Sequence, residues 1–231
     1  MSTVLFDPIK TMSRITDSVT VGFSGGKESI VVLDLCMRYF KKVHVFFEYM
    51  VPGLSFEERT LQWYERHYGI NILRFPCEDA SEYFHYGVFT RPDESFPHVS
   101  KTDIYNYMRL QNDTWFIATG ERINDSIMRR ARIKKSSSID FTHGRMFPVC
   151  YWREAEIRQY IKSKKLYLSP GQRVRKHSLT CFGADDLTYI KEHYPDDYQK
   201  IIHLYPFAEA IVVRNAIKRE REQNEEQISS L

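Results

Sequence analysis

A β-branched run that ends in glycines and continues as a helix-like stretch constrains this fold more than any other feature of the sequence. Residues 17–23 (DSVTVGF) predict a strand, and residues 24–26 (SGG) predict a sharp turn. Residues 27–40 then repeat apolar side chains at helical spacing. A strand that passes through a glycine turn into a helix begins the βαβ unit from which parallel sheets are built.

The same alternation continues along the chain. Four further strands are predicted at residues 43–48, 70–75, 113–119 and 145–151, and helices at residues 56–68, 101–110 and 154–163. Nearly every position of the second strand is apolar, which is typical of a parallel strand covered on both faces. We therefore predict an α/β fold with a doubly wound, mainly parallel five-stranded sheet.

Two segments interrupt the alternation. Residues 77–100 contain Pro92 and Pro97 and are predicted as a loop, and the polar, basic residues 123–140 as a mobile crossover. After residue 169 no strand is predicted, but mixed charges at helical spacing indicate helix. We predict an α/β domain over residues 1–169 and a small helical C-terminal extension over residues 170–231.

Composition excludes several classes of protein. The chain has 231 residues, 42% of them hydrophobic, which is enough for a packed core and excludes a disordered tail. No apolar run reaches the roughly 18 residues of a membrane-spanning helix. The N-terminus lacks the layout of a signal peptide, so we expect a cytoplasmic protein without a membrane partner.

The four cysteines form no Cys-x-x-Cys pair. Cys36, Cys77, Cys150 and Cys181 are widely separated, which is typical neither of a disulfide framework nor of a zinc ribbon. We expect free thiols and no structural metal. Cationic neighbours would lower the pKa of Cys181, whereas burial would leave this thiol inert.

Residues 24–29 (SGGKES) carry the clearest chemical signal. They lie where the first predicted strand meets its helix, which is the edge at which open α/β sheets bind ligands. The glycines let the backbone approach a polyphosphate, and the first helical amides with Ser24, Lys27 and Ser29 supply hydrogen-bond donors. The residues fit neither a Walker loop nor a dinucleotide fingerprint. We predict a phosphate-binding loop.

Four blocks of the sequence resemble one family. Residues 24–29 are similar to the Ser-Gly-Gly-x-Asp-Ser motif of the PP-loop ATP pyrophosphatase superfamily, with Glu28 in place of the usual Asp. Residues 120–129 (GERINDSIMR) resemble a segment of its phosphoadenylylsulfate (PAPS) reductase-like branch, and residues 148–161 and, more loosely, 56–60 resemble further segments. The order of the blocks supports the resemblance, which implies an adenine nucleotide α-hydrolase-like fold.

The resemblance also implies a site for an adenine nucleotide. ATP or a related nucleotide would be bound with Mg²⁺, Lys27, Glu28 and Arg122 would be catalytic, and Glu28 would hold the metal. Nucleotide contacts are expected from Ser24, Gly25, Gly26, Lys27, Glu28, Ser29, Gly120, Glu121, Arg122, Asp125, Ser126 and Arg129. Taken alone, Arg122 and Arg129 would also fit a solvated helix face.

The sequence departs from the reductases of this family in its cysteines. Their nucleophilic cysteine lies in a C-terminal Glu-Cys-Gly segment, which this sequence does not contain. Relatives with iron–sulfur clusters use adjacent and paired cysteines, which are also missing here. We therefore expect neither standard PAPS reduction nor an iron–sulfur cluster.

Two clusters of basic residues indicate a polyanion beyond the nucleotide. The expected contacts are Arg130, Arg132, Lys134, Lys135, Arg173, Arg175 and Lys176. Nucleic acid is one candidate partner and a protein is another. A solvated surface loop would have the same composition.

Two functions fit these observations. The first is an enzyme that uses ATP with release of pyrophosphate to adenylate, or transfer sulfur to, an unidentified acceptor. The second is a non-catalytic nucleotide-binding regulator that acts with a protein or DNA partner. The sequence does not determine the oligomeric state, and a homodimer is one alternative.

Overall fold

A computed structural model describes the backbone of residues 3–229 and the side chains of residues 5–225. Its six-stranded sheet has the order β3-β2-β1-β4-β6-β5, with β1 (Ser18–Gly22), β2 (Lys42–Tyr49), β3 (Ile72–Pro76), β4 (Ile117–Ala118), β5 (Ile139–Asp140) and β6 (Arg145–Met146). Strand β1 is parallel to β2 and β4, and β4 is parallel to β6. Strand β5 is antiparallel to β6.

Strand β1 lies in the interior of the sheet. Val19, Thr20 and Val21 are fully buried, and Val21 is paired with Val45 of β2 and with Ala118 of β4. A strand with parallel neighbours on both sides and covered faces favours the β-branched residues found here. Strands β1 and β4 therefore end at the same edge of the sheet.

Eleven α-helices are present in the described part of the chain. They are α1 (Asp7–Ile15), α2 (Lys27–Tyr39), α3 (Ser55–Tyr68), α4 (Glu78–Tyr86), α5 (Lys101–Asn112), α6 (Ile127–Ser136), α7 (Glu154–Lys164), α8 (Pro170–Val174), α9 (Ala184–His193), α10 (Pro195–Leu204) and α11 (Glu209–Ser229). Short 3₁₀ helices cover Thr3–Phe6 and Pro206–Ala208. Within the described residues, none of these helices combines the length and apolar character that crossing a membrane requires.

The predicted α/β fold with a mainly parallel sheet is confirmed, but the sheet has six strands instead of the predicted five, because residues 123–140 are more regular than predicted. They contain helix α6 and the edge strand β5 instead of a structureless crossover. Ser126 caps α6 by accepting a hydrogen bond from the backbone N–H of Arg129 at 3.2 Å. Ile133 is the buried residue of this helix. Because one buried position makes no apolar repeat, the sequence pattern did not predict α6.

The predicted loop at residues 77–100 likewise contains helix α4. Gly87 ends this helix in a left-handed conformation with φ of 77°, and its N–H donates to the carbonyl of Tyr83 at 3.0 Å. A glycine in this position is a common helix stop. The loop was predicted because of Pro92 and Pro97, but both prolines follow the end of the helix.

The chain forms two compact units that alternate along the sequence. The first unit contains residues Met1–Glu48, Arg59–Phe75 and Ser100–His177, and the second contains Tyr49–Glu58, Pro76–Val99 and Ser178–Leu231. The boundary expected between residues 169 and 170 stays a prediction. The second unit has a core of its own that includes Leu187, Ile190, Tyr198, Ile201 and Tyr205.

A buried carboxylate connects three helices of the first unit. Asp34 of α2 is fully buried and accepts hydrogen bonds from Arg38 at 2.6 Å, from the hydroxyl of Tyr68 at 2.6 Å and from that of Tyr160 at 2.5 Å. Burial alone would raise the pKa of Asp34, but these hydrogen bonds lower it. The ionised carboxylate therefore holds α3 and α7 against α2.

We expect Asp34→Ala to lower the free energy of unfolding by about 3–5 kcal/mol, because it leaves buried donors without their charged acceptor. Urea unfolding at neutral pH measures the change. Asp17→Ala is the control, because Asp17 pairs with Lys41 at 2.8 Å but its side chain is 64% exposed. That exposed pair should contribute less than about 1 kcal/mol. Equal losses in the two variants would contradict the role given to Asp34.

A second carboxyl group makes the second unit sensitive to pH. Burial, with the nearby charges of Glu58 and Asp197, raises the pKa of Glu57 from 4.5 to about 8. In this range the folded protein holds a proton that the unfolded chain releases, so stability falls as the pH rises through it.

Replacing Glu57 by Gln should therefore stabilise the protein relative to wild type by an amount that grows with pH. We expect little difference at about pH 5 and a gain of about 2–4 kcal/mol at about pH 8, measured by urea unfolding. Glu192→Gln removes an exposed carboxylate of the same unit and should show no such trend. A gain from Glu57→Gln that is independent of pH would refute the shifted pKa.

Candidate functional site

The glycine loop (residues 24–29) joins β1 to α2 in the first unit. Gly25 has φ of +68°, a conformation that favours glycine, and Gly26 precedes the first residue of α2 with an extended backbone. The Ser29 hydroxyl accepts the backbone N–H of Ser24 at 3.2 Å and donates to the carbonyl of Gly26 at 2.9 Å. These hydrogen bonds hold the loop in shape and leave the start of α2 facing the edge of the sheet.

The second turn (residues 120–122) follows β4 and lies directly on the start of α2. A Cβ atom at Gly120 would stand 2.8 Å from the backbone nitrogen of Ser29 and 2.9 Å from Cβ of Glu28. Only glycine permits so close an approach. The structure thus brings together two sequence blocks that were predicted to form one site and that lie about 90 residues apart.

A row of alternating charges connects the two loops. Glu28 lies 3.2 Å from the ammonium of Lys27 and 3.0 Å from the guanidinium of Arg122, which in turn lies 3.1 Å from Asp125. Arg129 extends the row with a contact of 3.1 Å to Asp125. The side chains of Lys27, Glu28 and Arg122 are only 15%, 18% and 10% exposed. They are therefore held in fixed positions at this edge.

The row has more donors than its carboxylates accept. Nε of Arg122 is buried and has no hydrogen-bond partner within the described residues. The three cations of the row face the two carboxylates of the row and that of Glu154, which lies 4.0 Å from Lys27. A site with fixed ammonium and guanidinium donors is suited to an anion.

Glu154 is a residue of this site that the sequence-based prediction did not include. Its carboxylate lies 4.0 Å from the ammonium of Lys27. A hydrogen bond from Arg158 and the charge of Lys27 lower the pKa of Glu154. Its position at the first residue of α7, within the block of residues 148–161, is the signal that could have identified it.

Glu28 was expected to hold a metal ion, which stays a prediction; its carboxylate lies between Lys27 and Arg122. Within the described residues, no group of three His, Cys, Asp or Glu side chains is arranged to hold a metal. The contacts of Glu28 fit a positioning role for Lys27 and Arg122.

Glu121 points to a different set of cations. Its carboxylate pairs with Arg132 of α6 and with Arg145 of β6. Arg145 was not among the predicted site residues, because nothing in the sequence indicates that β6 lies beside β4. Adjacent residues of the second turn thus serve two separate groups of charges.

Most of the remaining predicted contacts are exposed. Arg130, Lys134 and Lys135 lie at the surface of α6, and Ser126 is the cap of this helix. Arg173 lies over the ring of Tyr167 at 4.3 Å from its centroid. Arg175 is half-buried and Lys176 is exposed.

Cys181 is not an activated nucleophile. The residue is 6% exposed, and burial together with the charges of Glu57, Cys77 and Asp197 raises the pKa of its thiol. Burial also raises the pKa of Cys36 and Cys150. A thiol with a raised pKa is protonated at neutral pH and reacts slowly.

The chain is similar to a known family and to a known protein. The phosphoadenosine phosphosulfate reductase domain family matches residues 18–170. An uncharacterized protein of Methanocaldococcus jannaschii is 27% identical over 203 residues, which are 82% of this chain and 42% of that protein. The chain thus spans about two fifths of the length of this relative.

Two solved structures are similar over most of the chain. The U34-tRNA thiolase NcsA from Methanococcus maripaludis, with its [4Fe-4S] cluster, has a TM-score of 0.47 and 17% identity, covering 90% of this chain and 78% of that one. The NH3-dependent NAD synthetase from Campylobacter jejuni, in complex with nitrate, has a TM-score of 0.47 and 15% identity, covering 93% of both chains.

The cluster in NcsA corrects one expectation. From the sequence we expected ATP or a related nucleotide with Mg²⁺, and the spacing of the cysteines was taken to exclude an iron–sulfur cluster. This exclusion is wrong, because NcsA holds a [4Fe-4S] cluster. Cluster ligands are brought together by the fold, so the lack of paired cysteines in a sequence does not exclude them.

We expect Gly120→Ala to destabilise the first unit by about 1–3 kcal/mol, because the added methyl group collides with backbone atoms at the start of α2. Urea unfolding measures the loss. Gly22→Ala is the matched control, since a Cβ there would meet the Phe46 ring at 3.4 Å. Equal stability of the two variants would contradict the close contact at residue 120.

Proposed function

Because the chain belongs to the phosphoadenosine phosphosulfate reductase domain family, we propose that it binds ATP or a related adenine nucleotide in the glycine loop and acts at its α-phosphorus. The observation that carries the proposal is the contact of the second turn with the start of α2. This contact puts Arg122 at 3.0 Å from Glu28, beside Lys27 and the loop that would receive the phosphates.

The phosphates would be bound mainly by the backbone. The first amides of α2 and the positive end of its dipole favour an anion at the glycine loop. Lys27 adds a charge-assisted contact to the leaving pyrophosphate, and Arg122 contributes a buried Nε donor that has no partner among the described residues. Glu28 and Asp125 keep the guanidinium of Arg122 in position.

The proposed reaction is a displacement at the α-phosphorus. A nucleophilic atom of the acceptor forms a bond to this phosphorus, while the bond to the bridging oxygen breaks and its electron pair leaves with pyrophosphate. The fixed cations stabilise the charge that develops on the leaving group. The product is an adenylated acceptor, from which a sulfur nucleophile can subsequently displace AMP.

Removal of the ammonium at residue 27 should weaken nucleotide binding. We expect Lys27→Ala to lower the affinity for ATP by about 10- to 150-fold in isothermal titration calorimetry, because it deletes a charge-assisted contact to phosphate. Lys41→Ala removes a lysine that is 77% exposed and should bind ATP like wild type. Unchanged affinity of Lys27→Ala would refute the assignment of the glycine loop.

A turnover assay separates an enzyme from a regulator. The protein is incubated with ATP in a buffer that contains Mg²⁺, and AMP and pyrophosphate are measured with and without candidate acceptors. Release of pyrophosphate that is lost in Arg122→Ala supports the enzyme. Binding of ATP without any release under all these conditions supports the non-catalytic regulator.

A further inference from the structure

A cleft of about 940 Å³ opens on the first unit, next to the second turn and outside the glycine loop. Helices α5 and α6 and the β5–β6 hairpin line it. Its cations are Lys101, Arg109, Arg132, Lys135 and Arg145, and the acidic residue among its lining is Asp140. The cleft is at the upper end of the roughly 300–1,000 Å³ of ligand pockets.

The positive charge of this cleft is only partly neutralised. Glu121 pairs with both Arg132 and Arg145, and Glu48 pairs with Lys101, so with Asp140 three carboxylates face the five cations. Nε of each of these arginines is buried without a hydrogen-bond partner in the described part of the chain. The side chain of Arg145 is 14% exposed and that of Arg132 is 39% exposed. Fixed guanidinium groups with spare donors favour phosphate oxygens.

Two aromatic rings at the cleft are exposed, and the ring of Phe141 contacts the edge of the Phe116 ring with 6.0 Å between centroids. Trp115 is 50% exposed and Phe141 is 60% exposed. The indole N–H of Trp115 donates to the carbonyl of Phe141 at 3.2 Å, and the guanidinium of Arg109 lies 4.5 Å from the indole centroid.

Gly144 makes this arrangement possible. It has φ of +58°, and a Cβ there would stand 2.8 Å from two atoms of the indole ring. Core packing does not account for large rings that stay so exposed. Ordered, exposed aromatic rings beside cations are the arrangement on which unpaired bases stack.

The cleft and the glycine loop share the second turn. Gly120 touches Ser29 and Glu28, Glu121 holds the cleft arginines, and Arg122 pairs with Glu28. A ligand of the cleft therefore lies within a few residues of the proposed nucleotide site. An acceptor for the proposed reaction must bind next to the nucleotide site.

We infer that this cleft binds a segment of single-stranded nucleic acid, which is the acceptor class of the reaction proposed above. Phosphates would contact Arg132, Lys135 and Arg145, and a base would stack on the exposed ring of Phe141, next to Trp115. A duplex hides the faces of its bases, and an acidic peptide offers charge without rings. The combination of cations and exposed aromatic side chains favours the single strand.

Fluorescence anisotropy with a fluorescein-labelled oligothymidylate and its oligouridylate counterpart, each of about 12 nucleotides, tests the inference. We expect Phe141→Ala to weaken binding by about 5- to 150-fold through lost stacking. Lys135→Ala should flatten the log–log dependence of affinity on salt by about 0.7. Tyr39→Ala and Lys162→Ala remove an exposed ring and an exposed cation elsewhere in the first unit and should bind like wild type.

Three results would overturn the inference. They are no binding by the wild type at low salt, equal competition by a DNA duplex or by polyglutamate, and wild-type affinity of both cleft variants. Calorimetry with ATP on the same proteins keeps the two proposals apart. If the protein binds ATP but no oligonucleotide, the inference about the cleft fails and the proposed nucleotide site is unaffected. Oligonucleotide binding that maps to the cleft without ATP binding refutes the proposed reaction and the acceptor role together.

Discussion

The second turn can hold Arg122 against Glu28 only because residue 120 has no side chain. Any Cβ there would lie within 3.0 Å of the backbone of α2, so the turn would move away and Arg122 with it. Strands β1 and β4 are parallel neighbours, so the glycine loop and the second turn lie at the same edge of the sheet. The site thus depends on the contact between the loops that follow β1 and β4. The sheet makes this contact through the order of its strands, independently of the charged side chains.

The charges then act on a scaffold that is already rigid. Helix α2 is fixed at its middle by Asp34, whose carboxylate accepts hydroxyl groups from α3 and α7. Its first turn carries Lys27 and Glu28, and α7 begins with Glu154, 4.0 Å from Lys27. Helices α2 and α7 therefore contact each other twice, through the buried hydrogen bonds of Asp34 and through Lys27 and Glu154 at the site. Preorganised cations of this kind need no rearrangement when an anion enters.

The sequence was sufficient to predict the central strands and the pairing of the two main motifs. Val19 and Val21 lie in a continuous β-branched run, and the rule that ligands bind at strand ends joined residues 24–29 to residues 120–129. It was not sufficient for α6, which buries Ile133 but shows no apolar repeat. Nor could the sequence predict the ion-pair partners of Glu121, because only the order of β4 and β6 brings Arg145 near it.

Glu121 and Arg122 are consecutive residues with opposite charges and opposite partners. Arg122 faces a carboxylate at the glycine loop, and Glu121 faces two guanidinium groups at the cleft. Because each is held by its own partners, the turn cannot shift toward one site without weakening contacts at the other. Binding of an anion in the cleft would compete for the arginines that hold Glu121, which lowers the restraint on the turn. Both proposed binding places therefore contact the same turn, and the position of this turn depends on the close approach of Gly120 to α2.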